Sequence, residues 1–295
     1  MLCRSFRGNP QEATYYIYNP TTNQYRLLPA MQGSDDPSWD SRIIFDVKLA
    51  FDPSKSPHYK VICISHNIDL PDHYQMEVYS SKTGSWKPSG SPFTGPDDAR
   101  FSNGVYWNGA IHWFNILGVS LRFDIEEEQF REIPMPTFRG DLRYRHFEES
   151  GGHLYLMEVS DSDTSLYDVY EMARDMSGWF LKYKVDFHPI AAVFPEMLYG
   201  SDDIYRYTYT ILGVIQEKTD DDSFLVLHIP NKKAIWYNFK DASFTMFHDF
   251  ASLYTQVVSG VGRDIGRVFL FLDQRKIGSL EYCDTYQFIE SFACV

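Results

Sequence analysis

The chain has 295 residues, of which 44% are hydrophobic, 17% aromatic and 23% charged; that supports a sizeable core and excludes disorder, collagen and coiled coil. Its 27 basic and 40 acidic residues leave a formal charge of −13, which argues against a duplex nucleic-acid binder and for protein partners, basic ones among them. The 6 Trp, 21 Tyr and 22 Phe bias the fold towards β-structure.

The first predicted element is Tyr16-Ile17-Tyr18-Asn19-Pro20-Thr21-Thr22-Asn23-Gln24-Tyr25-Arg26-Leu27-Leu28-Pro29: an apolar strand, a polar turn, then a strand opening with an aromatic. The arrangement returns at Val78-Tyr79 with Trp86, Leu121 to Asp124 with Phe130, Val169-Tyr170 with Trp179, His228-Ile229 with Trp236, and Glu281-Tyr282 with Phe288. In four of the six copies (Tyr18 to Tyr25, Tyr79 to Trp86, Phe123 to Phe130, Ile229 to Trp236) the anchor and the second aromatic are seven residues apart. Each copy is expected to be a β-hairpin whose aromatics face each other across the strands.

Between the anchors lie further strand candidates: Tyr59 to Ile64, Gly104 to Phe114 with Asn108-Gly109 as the turn, Gly152 to Met157, Tyr209 to Ile215, and Phe269 to Leu272. Roughly four strands per repeat, with anchors about 53 residues apart on average, match the blade of a β-propeller. The expected fold class is therefore all-β, a kelch-like β-propeller of about six four-stranded blades, forming one domain over residues 1–295. No helical period persists beyond about three turns, which excludes a doubly wound α/β fold. Gly33 to Pro37 and Pro88 to Pro92 read as loops within or between blades.

Cys3, Cys63, Cys283 and Cys294 lack metal-ligand spacing and are too few for a disulfide framework, so a reducing compartment fits. The start, Met1-Leu2-Cys3-Arg4-Ser5-Phe6, has no signal-peptide core, and runs such as Val268 to Leu272 fall far short of the roughly 20 residues that span a bilayer. The expected location is cytoplasm or nucleus, with no membrane and no nucleic-acid partner.

Sequence motifs for catalysis are missing: no nucleophile elbow, phosphate-binding glycine loop, zinc helix or dinucleotide fingerprint occurs. His112 and His228 sit in strand-like apolar runs and read as structural imidazoles. Tyr282-Cys283 lacks the neighbouring His pair that a copper oxidase needs. No catalytic, cofactor or metal residue is assigned, and no cofactor is expected. Asp35-Asp36, Asp97-Asp98, Asp202-Asp203 and Asp220-Asp221-Asp222 are acidic loops, either merely solvated or drawing in a basic target segment. Arg139, Arg143, Arg145 and His146 form the one basic cluster.

The ordered series resembles the F-box-associated region of plant F-box proteins. It comprises Tyr16 to Pro29, Leu49-Ala50-Phe51-Asp52-Pro53 with Tyr59-Lys60-Val61, Val78 to Trp86, Gly104 to Trp113, Phe123-Asp124 with Ile133-Pro134, Glu149 to Leu156, and Tyr170-Glu171-Met172 with Gly178-Trp179. The resemblance implies a substrate receptor of an SCF-type ubiquitin ligase, in which an F-box docks on a Skp-type adaptor and the propeller captures the target protein. No F-box precedes the repeat, so the expectation is a domain missing its upstream F-box, with adaptor and cullin as partners only where that segment is supplied. The alternatives are a glycan-binding, lectin-like propeller and an enzyme built on a propeller. The repeated position of Trp86, Trp179 and Trp236 predicts burial between blades, which would bar them as sugar platforms and so discriminates against the first; lack of a cluster of perturbed ionisable groups speaks against the second.

Overall fold

The computed structural model describes residues 1–5, 14–19, 21–31, 42–95, 101–115, 119–136, 145–159, 165–199, 206–207, 209–217, 219, 222–230, 233–249, 258–259, 268–271 and 284–287. The chain divides into two compact units, Met1–Ile133 with Glu290–Val295, and Pro134–Ile289.

The first unit holds three antiparallel up-and-down sheets. They are β1 (Leu2–Ser5), β2 (Thr14–Asn19) and β3 (Gln24–Leu27); then β4 (Arg42–Ala50), β5 (Lys60–Asn67), β6 (Leu70–Ser80) and β7 (Ser85–Thr94); then β8 (Val105–Trp107), β9 (Ala110–Trp113), β10 (Leu121–Asp124) and β11 (Gln129–Glu132). The second unit opens with β12 (Arg145–Ser150), β13 (His153–Val159), β14 (Leu166–Met172) and β15 (Trp179–Asp186). A short helix, α1 (His188–Val193), and a 3-10 turn lead to the ribbon β16 (Leu198–Tyr199) and β17 (Arg206–Tyr207). Next come β18 (Thr210–Ile215), β19 (Phe224–Ile229), β20 (Lys233–Asn238) and β21 (Phe244–Asp249), then a three-stranded sheet of β22 (Val258–Ser259), β23 (Val268–Phe271) and β24 (Asp284–Gln287). The all-β class and the four-stranded blade both stand: four sheets have four strands, and two have three among the described residues. No helix of the described residues is long and apolar enough to cross a membrane.

The seven-residue spacing is a register. Tyr18 lies opposite Tyr25, Tyr79 opposite Trp86 and Phe123 opposite Phe130. In each turn the fifth residue after the anchor adopts positive φ: Asn23 at 55°, Gly84 at 71° and Glu128 at 53°. The first residue after the anchor holds the turn. Asn19 Oδ1 accepts the Thr21 N–H at 3.0 Å, Asp124 Oδ1 those of Glu126 and Glu127, and the Ser80 carbonyl that of Gly84 at 2.8 Å. Asn108-Gly109 turns β8 into β9 with both φ positive, 47° and 81°, as the Asn-Gly pair predicts.

Two expected pairs differ. Trp179 faces Met172, because Tyr170 pairs with Leu181, so the seven-residue spacing starts from a methionine. Trp236 faces Val226, because Ile229 already pairs with Lys233. The repeat here lies one hairpin later: Tyr237 faces Phe244, Asn238 Oδ1 accepts the Lys240 N–H at 2.8 Å, and Ala242 has φ 55°. The Tyr282 and Phe288 copy lies outside the described residues.

Core packing explains why β5 is almost continuously apolar. Val61 and Cys63 point towards Tyr15, Ile17 and Leu28 of the first sheet and its exit, whereas Ile62 and Ile64 point towards Ile111, Trp113 and Phe123 of the third. A strand buried on both faces loses the apolar–polar alternation. In the second unit Tyr155, Met157, Leu225, Leu227 and Ile235 share a core with Ile190 and Ala191 of α1.

Candidate protein-docking surface

The end of the second sheet where β4 begins, β5 ends and β6 begins exposes its apolar side chains. Ile43 is 39% exposed, Phe45 37%, Ile68 57% and Leu70 54%. Ile68 and Asp69 form the two-residue turn between β5 and β6, with Asn67 opposite Leu70 and the Asp69 N–H donated to Asn67 Oδ1 at 2.9 Å. A bulge sets Phe45: the β4–β5 register shifts between Ile44 and Asp46, leaving Phe45 without a cross-strand partner. Its ring lies 4.7 Å from that of His66 and 5.6 Å from that of Tyr74; Tyr74 in turn meets Phe101 at 4.9 Å, and Phe101 meets Trp113 at 5.4 Å. Phe45 is thus the exposed end of an aromatic ladder rooted in the core, held rigid before any partner arrives.

Beside the bulge, Asp46 turns inward. Its Oδ2 accepts the Gly104 N–H at 2.8 Å and the Trp113 Nε1–H at 2.9 Å, so the carboxylate ties β4 to the start of the third sheet. Burial raises the carboxyl above the usual range, while Lys48 and the two N–H donors oppose that rise. Glycine is needed at 104, since a Cβ there would stand 2.5 Å from Trp113 Nε1. Arg42, at the same end, bonds Ser65 Oγ at 2.6 Å and pairs with the buried Glu77, so its charge is committed inside the sheet. Cys63 is fully buried, and its thiol is pushed up to about 12 by desolvation, which leaves it inert as a nucleophile.

The second unit has groups that resemble catalytic ones. Ser165, His188 and Asp186 lie together: Ser165 Oγ and Asp186 Oδ1 both approach His188 Nδ1 at 2.8 Å, and Ser165 Oγ lies 3.3 Å from Nε2. A triad needs an accessible hydroxyl, whereas Ser165 is fully buried. Glu171 takes Lys182 at 2.6 Å and His153 at 2.5 Å, while Lys182 Nζ lies 3.4 Å from the Tyr155 hydroxyl and 5.6 Å from its ring centroid. Burial drives the Tyr155 phenol well above its usual range. These charges satisfy one another between strands, as a structural network does. Glu148 on β12 accepts the Val214 N–H of β18, the same strand-to-strand carboxylate tie that Asp46 makes.

The residues singled out in the sequence scatter. His112 and His228 are buried structural imidazoles; burial holds the His112 ring down to about 4 and lowers His228 as well. His146 Nε2 lies 3.2 Å from Glu148 Oε1, while Arg139, Arg143 and the Arg145 side chain lie outside the described residues. So do Tyr282-Cys283 and all of the acidic pairs save Asp222, which accepts the Thr219 hydroxyl at 2.5 Å. Among the described residues no group of three or more His, Cys, Asp or Glu could hold a metal ion. Trp86 is buried as expected; Trp179 and Trp236 are half-buried, Trp236 packed on Phe224 at 5.1 Å. Sequence reasoning misses the docking end, because a bulge leaves no mark in hydrophobic alternation; Ile68 and Leu70 flanking an Asp in a tight turn are the signal available.

Residues 3–172 match the model of the F-box associated beta propeller domain, and the chain belongs to that family. It is 37% identical over 288 residues to an F-box protein of Arabidopsis thaliana, covering 92% of this chain and 66% of that protein. A second Arabidopsis thaliana F-box protein is 27% identical over 175 residues, covering 55% of this chain and 47% of that one. The chain therefore spans less than two thirds of the length of each relative. Among solved structures it is similar to a chain of the mitotic checkpoint complex, with TM-score 0.44 and 11% identity over 87% of this chain and 77% of that one.

Proposed function

We propose that the chain is the target-capturing part of an SCF-type ubiquitin ligase receptor and performs no chemistry of its own. The observation that carries this reading is membership of the F-box associated propeller family, together with a preorganised apolar end that fits a protein better than a small substrate. A Skp-type adaptor and a cullin are partners through an F-box on the same receptor, and the place of action is cytoplasm or nucleus. The experiment is a pulldown of purified Skp-type adaptor by this chain and by a version carrying an F-box upstream. Capture by the extended version alone, followed by ubiquitin transfer to a bound protein, is the expected result. Capture of the adaptor by the chain without that added F-box would overturn the division of labour.

A glycan-binding reading is favoured by one observation, the half-exposure of Trp179 and Trp236. Against it, each indole already meets an aromatic neighbour, Trp179 at 6.3 Å from Phe147 and Trp236 at 5.1 Å from Phe224, so part of each ring is covered by the protein itself.

A further inference from the structure

We infer that the exposed end of the second sheet, Ile43, Phe45, Ile68 and Leu70 around Asp69, seats a positively charged protein segment bearing an aliphatic or aromatic anchor. The inference deepens the target-capture reading and rests on it. Apolar contact alone would accept many partners; charge selects among them. Asp69 projects into solvent from the turn between Ile68 and Leu70. The cation described at this end, Arg42, is turned into the sheet by Ser65 and Glu77 and adds little positive field outside. The whole chain adds its charge of −13. Lys or Arg flanking the anchor would be drawn in by that field, while an acidic segment would be repelled before reaching Phe45.

The rigid aromatic ladder gives this end a further property. Phe45 is braced by His66 and Tyr74, so an incoming side chain meets a fixed ring with little conformational entropy left to lose.

The test is selection of short randomised peptides against the full chain, with affinities of the winners read by fluorescence anisotropy. Winners with net positive charge and one large apolar residue are expected. Their affinity should fall at least about tenfold in Ile68→Ser/Leu70→Ser, stay unchanged in Phe180→Ser/Leu181→Ser on β15, and weaken as salt rises through about 0.3 M. Both pairs are exposed, and circular dichroism checks that each variant is folded. Neutral or acidic winners, or winners that bind Ile68→Ser/Leu70→Ser undiminished, would overturn the inference and leave target capture standing. A chain that selects no peptide yet binds free oligosaccharide would overturn both.

Discussion

The indole of Trp86 donates its N–H to the carbonyl of Pro29 at 2.8 Å, and the indole of Trp179 donates to the carbonyl of Pro134 at 2.7 Å. Both tryptophans lie at the start of the fourth strand of a sheet, Trp179 as its first residue and Trp86 as its second, and both prolines follow a buried aliphatic residue, Leu28 or Ile133. The preceding amides also repeat: Leu28 N–H bonds the Tyr15 carbonyl at 2.9 Å and Ile133 N–H the Ser120 carbonyl at 2.8 Å. The sequence repeat thus encodes a hydrogen-bonded stitch as well as a hairpin.

Trp86→Phe keeps most of the buried ring and deletes the donor, leaving the Pro29 carbonyl unpaired. A loss of about 1 to 2 kcal/mol is expected, read as a lower urea midpoint with unchanged slope. Trp179→Phe should lose less, because water can reach a half-buried site.

Opposite substitutions at one turn position should have opposite signs. Gly84→Ala places a Cβ at φ 71° with no neighbour within 4 Å, so the expected loss of about 1 kcal/mol is backbone strain alone. Ala242→Gly, at φ 55° in the matching position of β20–β21, relieves the same strain, and unfolded-state entropy offsets part of the gain. Urea midpoints of both variants check the pair.

Acid should weaken the fold through His112. Its Nε2–H donates to the Trp107 carbonyl at 3.1 Å, and protonation would put a charge and a second N–H on Nδ1, which is buried with no partner among the described residues. With the folded pKa held down to about 4 against an unfolded value near 6.5, the unfolded state binds the proton first as pH falls. Stability is therefore full above about 6.5 and is lost towards 4, by about 2 kcal/mol at pH 5. His112→Gln should flatten the urea midpoint between pH 7 and 5; an unchanged pH profile would refute the assignment.

Asp46 predicts the reverse pH slope. Its raised carboxyl pKa means the folded state holds the proton more tightly, so stability falls as pH rises from the usual carboxylate range through the raised value. Asp46→Asn keeps an acceptor for Gly104 and Trp113 and should remove that slope. Asp46→Ala leaves two buried donors unpaired and should lose about 2 to 4 kcal/mol, measured by the same denaturation.

Much of this architecture was readable from residue order. Tyr79 facing Trp86 and Asn108-Gly109 turning a hairpin followed from spacing and turn chemistry, because local rules decide them. Trp236 stands at the expected offset from Ile229 yet faces Val226; the repeated pair is Tyr237 with Phe244, where Asn238 holds the turn, and spacing alone does not separate the two neighbours. The Phe45 bulge and the Asp46 tie to Trp113, 67 residues on, depend on how neighbouring sheets meet, which no local pattern records.

The most direct test of target capture is a binding comparison on one immobilised sample of the chain, offering protein segments to one channel and free oligosaccharides to the other. Saturable binding to protein, reduced by Ile68→Ser/Leu70→Ser, with no saturable oligosaccharide signal, is the predicted result. Saturable oligosaccharide binding with no protein ligand would contradict the account.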